Sequence, residues 1–240
     1  MKILNFGNRV MNTFVYKAPC GYVMIDTGYE GSFKSVEKKL RGSGLSFEDI
    51  SYVFLTHAHD DHAGFINELL SKTTGLKVIT SNKAKPTLKR GQNSFEGGCS
   101  NFLAFAFCKV MALFGKGEHR FPAVEDKHNG RFIEITDENI CEIEKFLGGK
   151  IFFTPGHTSD SVSLQVDDVV FCGDAAMNGL PSLQRITIWI ENKADFENSW
   201  TVLTESNAKK IYPAHGKPFA VKDLEKYKHK ISKRKLYKLK

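Results

Sequence analysis

The chain has 240 residues, of which 41% are hydrophobic and 25% charged, a globular balance that excludes a disordered chain. Its five cysteines, at 20, 99, 108, 141 and 172, are scattered and form no CxxC pair, which argues against a disulfide framework and for free thiols in a reducing compartment. The net charge of +7 is local: residues 222–240 carry nine basic and two acidic side chains, so the other 221 residues sum to zero. That basic C-terminal helix and tail reads first as a solvated face, with contact to RNA or anionic lipid as the alternative.

The opening MKILNFG runs directly into a strand pattern, with no long apolar core or cleavage site, so the protein is expected to be cytoplasmic. Strands are predicted at residues 3–6, 13–17 and 22–25, the last ending in Asp26-Thr27-Gly28. A helix follows at 32–41, with Phe33, Val36 and Leu40 near one face, and Gly42-Ser43-Gly44 stops it. The β-branched and aromatic run at 50–55 predicts a strand, residues 65–70 a helix, 77–80 a strand and 82–88 another helix. Residues 91–122 form a less regular segment with six phenylalanines, at 95, 102, 105, 107, 114 and 121. The spacing from 102 to 114 suits a mostly buried helix, with a pocket wall or lid, a dimer surface or a membrane contact as alternatives; it is too short to span a bilayer. Strands are then predicted at 131–135, 150–153, 161–166, 169–172 and 210–212, with helices at 194–204 and 221–231. There is no clear linker and no solenoid repeat, so one domain over 1–240 is expected, with two mixed sheets between outer helices.

Four packets of ligand-type residues follow four of these strands. The first, His57-Ala58-His59-Asp60-Asp61-His62, sits between the strand at 50–55 and Gly64, a residue that permits a tight turn or close approach. On an extended or loop segment His57 and His59 can share a side, and Asp61 and His62 can reach a second point nearby, giving two adjacent cation sites. Incidental histidines in a polar helix cap are the weaker reading. The second packet, Thr154-Pro155-Gly156-His157-Thr158, turns sharply at a strand end; alone, His157 could be an ordinary turn residue. The third, Phe171-Cys172-Gly173-Asp174-Ala175, offers a carboxylate able to bridge two cations or to cap a helix. The fourth is Tyr212-Pro213-Ala214-His215-Gly216. Convergence of four strand exits at one sheet edge is the economical explanation, because α/β folds collect ligands there.

HxHxDH at 57–62, TPGHT around His157, GD at Asp174 and AHG at His215, in that order, resemble the metallo-β-lactamase-fold hydrolase superfamily; the DTG at 26–28 resembles its first sheet turn. The resemblance covers roughly residues 10–216. It implies an α/β fold, a four-layer αβ/βα sandwich with metals at one edge of its sheets. It also implies His57, His59 and His157 on one metal, Asp61, His62 and His215 on the other, and Asp174 between them. Two divalent cations are expected, with zinc the default and iron or manganese alternatives for such ligands.

The chemistry expected is hydrolysis by activated water, with Asp61 both a ligand and a catalytic group that orients the nucleophile. Asp26 is a candidate partner for a ligand histidine or a plain turn residue; Thr56 and Thr158 are further candidates. Asp60 is expected to cap a helix or face solvent, and His119, His128 and His229 to be surface or structural residues, with an approach of His119 to the mouth of the site from the aromatic segment as its alternative. Ser159 and Ser161 lack a nucleophilic arrangement. The leading substrate class is a small carboxylic ester, lactone or thioester. A phosphodiesterase or small nuclease is the main alternative, although the uncharged body disfavours nucleic acid as a partner. A β-lactam hydrolase, a di-iron redox protein (disfavoured by His59) and a non-catalytic metal protein rank lower, and a homodimer stays open.

Overall fold

The computed structural model describes residues 1–239 of the protein. In chain order the first elements are β1 (Ile3–Asn5), β2 (Phe14–Ala18), β3 (Gly21–Ile25), α1 (Phe33–Gly42), β4 (Ile50–Phe54), α2 (Ile66–Lys72), β5 (Lys77–Ser81) and α3 (Lys85–Arg90). The middle of the chain forms β6 (Gly98–Cys99), α4 (Phe102–Leu113), β7 (Phe132–Ile135), α5 (Ile140–Leu147), β8 (Lys150–Phe153), β9 (Val162–Val166) and β10 (Val169–Gly173). The remainder is β11 (Trp189–Ile190), α6 (Lys193–Glu205), β12 (Lys210–Pro213), β13 (Phe219–Ala220) and α7 (Lys222–Lys228). These elements fall into two compact units, one of Met1–Asn93 with Arg120–Gly149, the other of Ser94–His119 with the chain from Lys150 onward.

The first unit is built on a six-stranded sheet in the order β1-β2-β3-β4-β5-β7. The hairpin steps β1/β2 and β2/β3 are antiparallel, whereas β3/β4, β4/β5 and β5/β7 are parallel. Parallel strands buried on both faces read as nearly continuous apolar runs, as the β4 sequence ISYVF does. Phe33, Val36 and Leu40 turn one face of α1 into the core, where Phe33 meets Phe47 at 4.6 Å and Phe65 edge-on at 5.8 Å between ring centroids. Each fully buried side chain of this size contributes ~1.5–3 kcal/mol relative to exposure.

The second unit holds a five-stranded sheet, β13-β12-β10-β9-β8, and a two-stranded pair of β6 with β11. β10 and β12 are parallel; β10/β9 and β8/β9 are antiparallel, so β8 runs in the direction of β10. Trp200 and Phe196 on α6 are fully buried with Ile211, Leu224 and Ile231. The C-terminal segment is tied in: Tyr237 exchanges both backbone hydrogen bonds with Cys99, and Lys193 donates to the carbonyls of Ser232 and Arg234.

The helix expected at 102–114 forms, but it is not mostly buried. Only Ala104 is buried, while Phe102, Leu103, Phe107, Val110, Leu113 and Phe114 are exposed. Two further differences are structural detail: the last helix ends at Lys228, and α5, with Ile143 and Leu147 buried, was not among the expected elements. No helix among the described residues is long and apolar enough to cross a membrane.

Candidate metal centre

In the first unit the parallel register of β3 and β4, with Ile25 opposite Phe54, brings their C-terminal exits side by side. Asp26 follows β3 in a left-handed conformation (φ 56°) and donates its N–H to the carbonyl of Phe54 at 3.1 Å. Its carboxylate then accepts from Thr56 twice, from the N–H at 2.8 Å and the hydroxyl at 2.9 Å. The same carboxylate faces His62 Nδ1 at 2.8 Å. A neutral imidazole that gives its Nδ1–H to an acceptor carries its lone pair on Nε2, the form a metal requires. Asp26 is therefore both a turn residue and the partner of a ligand-type histidine.

The loop after β4 is compact. His62 and Ala63 both donate backbone N–H groups to the His59 carbonyl, at 3.0 and 2.8 Å. The rings of His57 and His62 lie 3.9 Å apart and those of His57 and His59 4.6 Å apart. All three are buried. Asp61 is half-buried, with Oδ1 at 3.7 Å from His62 Nε2 and Oδ2 accepting from the Tyr29 hydroxyl at 3.5 Å. Gly64 closes the loop where no side chain fits: a Cβ there would lie 2.3 Å from the Glu30 nitrogen and 2.4 Å from the Asp60 carbonyl oxygen. Asp60 caps no helix; it is clasped by Asn93, which accepts from its N–H at 2.8 Å and donates to its carboxylate at 2.7 Å.

In the second unit three strand exits share one edge, since β8, β10 and β12 run the same way. Asp174 leaves β10 directly. The loop is held by Ala214, which donates to the Gly173 carbonyl at 3.0 Å, and by the Trp200 indole, which donates to the Ala175 carbonyl at 2.7 Å. His215 follows β12, and its carbonyl accepts from the Asn178 N–H at 2.9 Å. His157 follows β8 and presents Nδ1 to the Trp189 carbonyl at 2.8 Å, again reserving Nε2. The two oxygens of Asp174 are divided between these histidines: Oδ2 lies 3.6 Å from His157 Nε2 and Oδ1 3.6 Å from His215 Nε2. Beside this loop, Glu191 accepts from the Ser159 N–H at 2.9 Å, and burial pushes its carboxyl up to about 7.

The imidazole–carboxylate separations of 3.6–3.7 Å are too long for hydrogen bonds. Two tetrahedral ligands at ordinary zinc distances stand roughly 3.4 Å apart, so these donor pairs fit a shared cation. All seven expected residues, His57, His59, Asp61 and His62 in the first unit and His157, Asp174 and His215 in the second, belong to His/Asp groups able to hold a metal ion. The supporting groups Trp189, Tyr29 and Asn93 were not expected. Trp189 acts through its backbone carbonyl, which residue identity does not encode.

The Metallo-beta-lactamase superfamily model matches residues 7–215. The chain belongs to that superfamily. Its homologues are metal-dependent hydrolases that bind divalent cations, typically zinc. A probable metallo-hydrolase of Methanocaldococcus jannaschii is 26% identical over 81% of this chain and 82% of its own length. A beta-lactamase-like protein 2 homolog of Caenorhabditis elegans is 24% identical over 93% of this chain, which spans only 61% of that relative. Among solved structures, a metallo-beta-lactamase family protein of Thermus thermophilus aligns with a TM-score of 0.67 at 18% identity, over 97% of this chain and 79% of its own. A metallo-beta-lactamase of Cronobacter sakazakii aligns at 0.61 and 21% identity, over 89% and 78%. These likenesses are of fold, and the chain has the metallo-β-lactamase fold.

Proposed function

We propose that this superfamily member is a two-metal hydrolase that uses activated water to cleave a small carboxylic ester, lactone or thioester, its two units working as one metallo-hydrolase domain. The observation that carries the reading is the division of Asp174 between His157 and His215, the arrangement of a carboxylate that serves two cations. One cation would be held by His57, His59 and His157, the other by Asp61, His62 and His215, with Asp174 common to both. Zinc is the leading cation for this imidazole and carboxylate set, with iron and manganese as alternatives.

Bound cations supply Lewis acidity and bring the pKa of water toward ~7. The chain's own residues do the rest. Asp26 and the Trp189 carbonyl fix His62 and His157 with Nε2 available as donor. Thr56 holds the Asp26 carboxylate in place. Asp61 orients the attacking water and accepts a proton as its oxygen adds to the acyl carbon; the ester oxygen or thioester sulfur then departs with a proton. Acyl substrates are favoured over nucleic acid because the charge outside residues 222–240 sums to zero, whereas phosphate backbones require several cationic contacts on one surface.

The test is a panel of small esters, lactones, thioesters and phosphodiesters, assayed with protein of measured metal content. Turnover of at least one acyl class, lost on chelation and restored by zinc, is expected. Turnover of phosphodiesters alone would move the protein to phosphorus chemistry. Absence of turnover across the panel by protein carrying two metals per chain would contradict the hydrolase reading.

A further inference from the structure

Helix α4 has two apolar faces, and the second unit covers one of them. On the covered side Ala104 is buried and the Phe105 ring lies 5.8 Å from the Tyr237 ring. On the other side Phe102, Leu103, Phe107, Val110, Leu113 and Phe114 recur at helical spacing and all face solvent, with Leu113 85% and Phe114 76% exposed. A contiguous exposed apolar stripe of this kind marks a binding surface.

The helix and the C-terminal segment beside it are basic. Residues 102–116 and 233–239 contain no acid, and Lys109, Lys116, Lys233, Lys235 and Lys238 are exposed. The two segments are in contact: Lys109 Nζ donates to the Leu239 carbonyl at 3.1 Å, and the Tyr237 ring stands 6.1 Å from that of Phe102. The basic C-terminal segment thus flanks the apolar helix.

We propose that the outer face of α4, flanked by these lysines, docks on an anionic phospholipid bilayer surface, with the helix lying in the interface. Apolar side chains backed by cations match acyl chains beneath anionic headgroups. A helix of 12 residues is ~18 Å long, enough to lie in the interface and too short to span. A second copy of the chain fits less well, because a twofold contact sets the same patch against itself and brings like-charged lysines together. A protein partner of mixed polarity fits less well too, because Lys109 is the only charged side chain in α4.

Flotation of the full chain with phosphatidylcholine vesicles, with and without phosphatidylglycerol, tests this without reference to catalysis. The protein is expected to float with the anionic vesicles, to float at least about tenfold less with neutral ones, and to be released by high salt. The variant Leu113→Asp/Phe114→Asp changes only exposed side chains; with an unchanged thermal melt, it is expected to lose flotation. Lys235→Glu/Lys238→Glu is expected to weaken it on anionic vesicles. The proposal is overturned if the wild-type chain stays unbound, binds both vesicle types equally, or floats undiminished as the double aspartate variant. It is equally overturned if sedimentation shows a dimer that the aspartate pair dissolves, since the stripe would then be an interface between copies.

Discussion

Asp26 Oδ2 stands 2.8 Å from His62 Nδ1 at the common exit of two parallel strands. A turn residue therefore sets the tautomer of a ligand-type histidine. Replacing it by alanine removes the acceptor for His62 and for both Thr56 donors. Loss of such a supporting carboxylate is expected to weaken metal binding about 10–100-fold, read by chelator competition. Unchanged affinity would show that Asp26 serves only the turn.

Asp61→Ala removes a donor from the proposed second cation site and the group that orients water. Hydrolysis is expected to fall by about three orders of magnitude or more, with metal content reduced. Near-normal turnover by a variant still carrying two metals would remove Asp61 from both roles.

Gly216, directly after His215, tests how the loop is held. It adopts φ +87°, and a Cβ there would lie 1.4 Å from the Asn178 carbonyl oxygen. The clash is with backbone, so it cannot be relieved by a rotamer change. Gly216→Ala is expected to destabilise by more than the roughly 1–3 kcal/mol of an unfavourable backbone region alone, seen as a lowered thermal midpoint. It should also displace His215 and weaken metal binding. A variant that melts and binds metal as the parent does would contradict this packing.

The strands and the ligand loops were legible for related reasons. Runs such as residues 50–54 and 169–172 are β-branched and apolar, and each ends in a turn that carries the ligand. What misled was α4: both its faces are apolar, so residue type predicts burial on both sides, and only tertiary structure reveals which face is left outside. α5 carried readable signals, with Ile140, Ile143 and Leu147 at helical spacing before a left-handed Gly148. The β6–β11 pair spans two residues on each strand and leaves no periodicity to read. The Trp189 carbonyl that holds His157 is backbone and is invisible in composition.

His128 sets a pH dependence away from the metal ligands. It is buried, its Nε2 lies 3.1 Å from the Ser71 hydroxyl, and burial, reinforced by Lys127 and Arg131 against the opposing Glu125, holds its pKa below 6.5. The unfolded chain thus binds this proton more readily than the folded one. The contribution to stability is full above 6.5 and is lost as pH falls through the lower folded value. Denaturant melts of wild-type and His128→Gln protein are expected to differ most near neutrality and to converge as the pH is lowered through that window. A constant difference across it would contradict the assignment.

The proposed binuclear centre is assembled from ligands far apart in the chain. Elemental analysis combined with anomalous diffraction from metal-loaded crystals tests it most directly. Two ions per chain are expected, one ligated by His57, His59 and His157, the other by Asp61, His62 and His215, with Asp174 reaching both. Ions bound elsewhere, or a single ion with Asp174 and His215 remote from it, would rule out the binuclear centre.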